Sequence, residues 1–183
     1  ASAGDSIWVA RGTYYPGLTR NSSFVIPDGI QVYGGFSGTE SQLSQREISL
    51  NPTILSGDIN TPGDSLDNVY HIVEINASIL GSGLSGFIIT DGYDDQSDGF
   101  GGAGLLSIGS LIEIDSCTII NNTVPPGGDL GGGVYISGGT FQANSCSFIN
   151  NKNSDEPGGG IYADSSNLIF SNLEFEFNQA SDG

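Results

Sequence analysis

The 183 residues read as an all-β chain, a right-handed parallel β-helix (solenoid) of roughly five coils, on three observations. The segment 131–151 is repeated by the segments on either side, shifted back by 29 and forward by 27 residues, a period that marks a solenoid. Within each copy apolar and polar residues alternate with period two, as in strands with one buried face. Gly, Asn and Ser recur in the same places between those strands, where turns are needed.

The elements follow in chain order. Asp5–Ala10 begins a strand, and Gly12-Thr-Tyr-Tyr-Pro16 is expected to turn away from it. Ser23–Gly35 reads as two short strands around a Pro27-Asp-Gly29 turn. Alternation is lost over 37–52, where Thr39–Glu47 alone has helix-like composition; a loop or short helix laid against the stack is expected. Strand signal returns at 53–56, at 69–75, which includes His71, and at 86–90, where Gly86–Asp91 aligns with Cys117–Asn122 at a shift of 31. Residues 1–100 thus form irregular leading coils with insertions, and 101–183 the regular repeats of 27–31 residues, all in one domain.

The regular half gives its columns directly. Ile112, Phe141 and Leu168 fall together, as do Ile114, Ala143 and Phe170; Cys117, Cys146 and Leu173; and Ile119, Phe148 and Phe175. Glu113, Asp115, Gln142, Asn144, Glu174 and Glu176 lie between them on the outer face. Asn122, Asn151 and Asn178 each follow the last column by three residues, the spacing expected of a side-chain amide ladder in a stacked turn. Cys117 and Cys146 share an inward column, and in-register neighbours point their Cβ bonds alongside each other, so buried free thiols are expected.

Composition excludes several functions. A net charge of −17, with Arg11, Arg20, Arg46 and Lys152 the only basic residues, argues against nucleic acid or an anionic membrane as partner, because both need a basic patch. No apolar run is long enough to span a bilayer. The chain contains no Met and has no readable cap at its C-terminal end, so it is expected to be a fragment of a longer stack, followed by further coils or domains of its own chain. With Phe170 and Phe175 in the last coil, that end is expected to fray or self-associate from residue 158 onward.

Phe148-x-x-Asn151 and Phe175-x-x-Asn178, together with Gly131-Gly-Gly-Val134 and Gly158-Gly-Gly-Ile161, resemble the two alternating motifs of polymorphic outer-membrane protein repeats. Ile119 and Leu173 stand where that family has Phe and Cys. The leading half, with Gly4–Tyr14, Tyr33–Glu40, Thr53–Asp58 and Asp67–Val73, is similar to the start of large secreted β-helix proteins of Bacteroidota-type bacteria. The resemblance implies a non-catalytic passenger, secreted or displayed on the cell surface, that acts as a stalk or adhesin toward a glycan or a surface protein.

The alternative is a carbohydrate-active β-helix enzyme, a polysaccharide lyase or hydrolase. A lyase needs a base, and the regular coils offer only Lys152. A hydrolase needs two spaced carboxylates, for which Glu113 with Asp115 or Glu174 with Glu176 would serve; a solvated face accounts for both pairs. His71, the only histidine, gives no triad and no zinc set. Two further candidates stand. Tyr135 and Tyr162 continue an outward column from Leu106 and offer stacking to a sugar ring, or a shield for the backbone ladder beneath. Asp91, Asp94, Asp95 and Asp98, in a glycine-loosened loop between two coils, supply hard oxygen ligands that suit calcium as a cofactor, or form a solvated acidic loop.

Overall fold

A computed structural model describes residues 1–97 and 99–181. In chain order the strands of the leading half are β1 (Ser6–Ala10), β2 (Gly12–Tyr14), β3 (Phe24–Val25), β4 (Gln31–Phe36), β5 (Thr53–Ser56), β6 (Val73–Asn76), β7 (Ser82–Ser85) and β8 (Phe87–Thr90). The regular half adds β9 (Leu105–Asp115), β10 (Thr118–Ile120), β11 (Thr123–Val124), β12 (Val134–Asn144) and β13 (Ser147–Ile149). It closes with β14 (Lys152–Asn153), β15 (Ile161–Asp164), β16 (Asn167–Ser171) and β17 (Glu174–Glu176). Every paired strand is parallel to its neighbour.

The pairing makes a parallel β-solenoid with three faces. One face stacks β1, β4, β7, the second half of β9, the second half of β12, and β16. The second is the six-stranded sheet β2-β5-β8-β10-β13-β17. The third stacks β3, β6, the first half of β9, the first half of β12, and β15. One strand of the six-stranded sheet per turn gives six turns, one more than the repeat spacing suggests. The additional turn is at the start: Gly12–Tyr14 does not turn away but is the edge strand β2, paired with β5.

The core is a set of columns running along the stack. Tyr14, Leu55, Ile89, Ile119, Phe148 and Phe175 pair in succession, and the Phe148 and Phe175 rings stack at 4.9 Å. Ile89, Ile119 and Phe148 are fully buried, whereas Phe170 and Phe175 in the last turn are exposed. Ile89, not Ile88, lies beside Ile119, so the true shift is 30 and not 31. A slip of one residue exchanges the two faces of a strand, and the observed register is the one that buries Phe87 and Ile89.

The amide ladder is present. The Nδ2 groups of Asn122 and Asn151 donate to the Oδ1 atoms of Asn151 and Asn178, each at 3.0 Å. The same amides donate to Ile89 and Ile119 carbonyls, and Asn178 to that of Phe148, so each carboxamide also bonds back to an earlier turn. Glycines make room for this. A Cβ on Gly133 would sit 2.9 Å from Asn151 Cγ, and one on Gly104 would sit 2.9 Å from Asn122 Nδ2. Both cysteines are free and buried. A hydrogen bond with the Cys146 thiol, together with burial, holds the Cys117 thiol well above its usual range.

Insertions lie against the outside of the leading turns. The helix-like stretch supplies only a single 3-10 turn, Leu43–Gln45. Arg46 fixes it to the stack by donating to the Gly34 and Ser85 carbonyls and to Ser85 Oγ. Among the described residues no helix is long and apolar enough to cross a membrane.

Candidate functional site: a side cavity at the third turn

The outward column that carries Tyr135 and Tyr162 extends further than the regular repeats reveal. Register continues it through Leu106 to Glu74 and Val25, so it runs Val25, Glu74, Leu106, Tyr135, Tyr162. The two tyrosine rings stack 5.7 Å apart. Tyr135, although it lies in an outward column, is only 7% exposed. It packs over the turn glycine Gly102, and Tyr162 over Gly131 and Gly158; these glycines have φ of +86, +77 and +86°, and an added Cβ would meet the tyrosine Cβ atoms. The upper column therefore shields the turns, and only Tyr162 retains partial access.

The lower end of the same column opens into a cavity of about 230 Å³. Glu74 and Leu106 line it from the sheet, Arg20, Asn21, Tyr70 and His71 from one side, and Gln96 and Phe100 from the loop after β8. Arg20 builds the wall. Its guanidinium lies 4.2 Å over the Tyr70 ring, donates from Nε to the Asn68 carbonyl and from Nη2 to the Tyr93 carbonyl, and pairs with Asp95 at 2.8 Å. His71 sits just before β6 and not within a strand as the alternation suggests. Its Nδ1 is 3.2 Å from the Gly102 carbonyl and 3.9 Å from the fully buried Asp94 carboxylate.

The acidic loop is thus divided among separate partners. Asp95 faces Arg20, Asp94 faces His71 and accepts from the Gln96 backbone N–H, and Asp91 lies on the other side, near Asp58. Asp98 lies outside the described residues. Burial, with the Asp58 carboxylate as a further cause, holds the Asp91 carboxyl above its usual range. Among the described residues no three His, Cys, Asp or Glu side chains gather in a metal-binding group.

The outer carboxylates of the regular turns are tied into ladders. Asp115 accepts from Ser85 Oγ at 3.1 Å and from Asn144 Nδ2 at 2.7 Å, and Asn144 in turn accepts from Ser171 Oγ at 2.7 Å. Glu113 accepts from Gln142, and Glu174 from Ser147. Comparison of the chain with family models, with curated proteins and with solved structures gives no significant match.

Proposed function

We propose that this chain is a non-catalytic segment of a secreted or cell-surface protein and works as a rigid stalk or adhesive surface for a glycan or a surface protein. The observation that carries the reading is the commitment of outward charged groups to the stack: Asp115 and Glu174 hydrogen-bond to residues of neighbouring turns, and Arg46 and Arg20 hold insertions in place. Groups fixed in this way stiffen a rod and are poor acids, bases or nucleophiles. Secretion or display, and kinship with Bacteroidota-type β-helix passengers, rest on the resemblance of Gly4–Tyr14, Tyr33–Glu40, Thr53–Asp58 and Asp67–Val73; the likeness to outer-membrane-protein repeats rests on the motifs within Gly131–Asn151 and Gly158–Asn178.

One observation favours the enzymatic alternative: His71, backed by the buried Asp94 carboxylate at 3.9 Å, lines the same cavity as Glu74. Incubation with polyuronates and with neutral polysaccharides separates the two readings. No unsaturated or reducing ends above a heat-denatured control are expected. Sustained turnover that is lost in Glu74→Gln would replace the scaffold reading with a hydrolase one.

A further inference from the structure

Glu74 departs from its column. Its neighbours in register, Val25 and Leu106, are apolar, and Tyr135 and Tyr162 follow. Among the described residues its carboxylate, half-buried at the cavity mouth, receives no hydrogen bond and no ion pair. The structure spends Gln142 and Asn144 on the equivalent needs of Glu113 and Asp115 but leaves Glu74 directed at an open cavity. A partly desolvated acceptor in that position favours a ligand that brings donors.

Three features narrow the class of donor. Arg20 is committed through Nε, Nη1 and Nη2 to Asn68, Asp95 and Tyr93, so it adds no free positive charge for an anion, and the chain as a whole carries −17. A quaternary ammonium has no N–H to offer Glu74 and would want the face of Tyr70, but the Arg20 guanidinium already covers it at 4.2 Å. Neutral hydroxyls meet neither obstacle. The remaining walls suit them: the side-chain amides of Asn21 and Gln96 supply both donors and acceptors, and Phe100 and Leu106 supply an apolar face for the C–H side of a sugar ring.

We infer that the cavity between Glu74, Asn21, Gln96, Phe100 and Leu106 binds one pyranose residue of a neutral glycan, with Glu74 accepting hydrogen bonds from ring hydroxyls. The inference deepens the adhesive reading and rests on it. At about 230 Å³ the cavity is smaller than the roughly 300 Å³ at which pockets for larger ligands begin, so it holds a single ring and the affinity of one site is low, with a Kd on the order of 1 mM.

The test is NMR titration of the ¹⁵N-labelled chain with cellotetraose, mannotetraose, galactotetraose and tetragalacturonate. At least one neutral probe is expected to shift the amides of Glu74, Leu106 and Phe100. Glu74→Ala should weaken that binding at least tenfold while leaving the spectrum of the regular turns unchanged, and Asn21→Ala should weaken it less. Absence of shifts with all three neutral probes, tighter binding of tetragalacturonate, or unchanged affinity in Glu74→Ala would overturn the inference. The probes are also assayed for cleavage. Binding without cleavage supports both site and scaffold; binding with cleavage keeps the site and removes the scaffold reading; neither binding nor cleavage removes the site and leaves the scaffold reading in place.

Discussion

The two halves of the solenoid solve one problem by different means. From β9 onward the turns are tied by side chains that meet their counterparts in the next turn: amide on amide at Asn122, Asn151 and Asn178, and carboxamide on carboxylate at Asn144 and Asp115. The leading turns have lost that repetition. Where later turns place a ladder asparagine the third turn has Gly92, whose N–H donates to Asn122 Oδ1 and whose added Cβ would collide with the Ala103 carbonyl. Insertions fill the leading half instead, and two arginines staple them, each lying over a tyrosine: Arg20 on Tyr70 and Arg46 on Tyr33. Repetition lets short side chains hold the regular half together, whereas irregular turns need long side chains that reach across them.

Substitutions in the regular half should therefore cost most. Phe148→Ala, between Ile119 and the stacked Phe175, is expected to lose about 3 to 5 kcal/mol in chemical denaturation. Asn151→Ala should follow at about 2 to 4 kcal/mol, because it strands the Asn122 amide groups and the Ile119 carbonyl at once. In the leading half Arg20→Ala should cost only about 1 to 2 kcal/mol, since its ion pair with Asp95 is partly exposed and the loss is confined to the segments it joins.

Smaller changes sharpen the contrast in the stabilising direction. Asn121 and Asn150 occupy left-handed turn positions with φ of +59 and +51°, and Asn150 Nδ2 donates to Asn121 Oδ1 at 2.7 Å. The last turn puts Phe177 in the same conformation, φ +55°, with its ring exposed. Phe177→Asn should extend this outer ladder and relieve the strain of a bulky left-handed residue, a gain of about 1 kcal/mol.

The smallest expected effect is at Asp91. Its raised carboxyl pKa means that the fold favours the protonated form. The contribution of this group is fully present below the unfolded pKa and is lost as pH rises through the folded one. Asp91→Asn should accordingly stabilise the protein near neutral pH, and the gain should vanish by roughly pH 3, where both states are protonated. A gain that persists at low pH would mean that Asn acts through the φ of +67° at this position instead.

The same contrast explains what was legible in the sequence. The columns of Ile119, Phe148 and Phe175 and the ladder three residues beyond them could be read because a stacked turn repeats its chemistry at fixed spacing. The shift of Gly86–Asp91 was misplaced by one because Phe87 stands where later turns have the small Cys117 and Cys146, and Gly92 where they have asparagine, so the best match by residue type was not the best match by burial. The cavity was hidden for a further reason. Glu74 meets Leu106 only after the loop that follows β8, and Arg20, Tyr70 and Phe100 approach it from three insertions that share no period. The burial of Tyr135 depends on the left-handed glycine beneath it, a feature of backbone conformation that alternation does not reveal.

Native-state hydrogen exchange, resolved by residue, tests the division between the halves most directly when Asn151→Ala is compared with Arg20→Ala. The account predicts that Asn151→Ala lowers protection chiefly in 118–124, 147–153 and 174–179, and that Arg20→Ala lowers it in 68–71 and 91–96 while the regular turns keep theirs. Equal, chain-wide loss of protection in both variants would contradict it, because the ladder and the staples would then be parts of a single cooperative unit and not two local solutions.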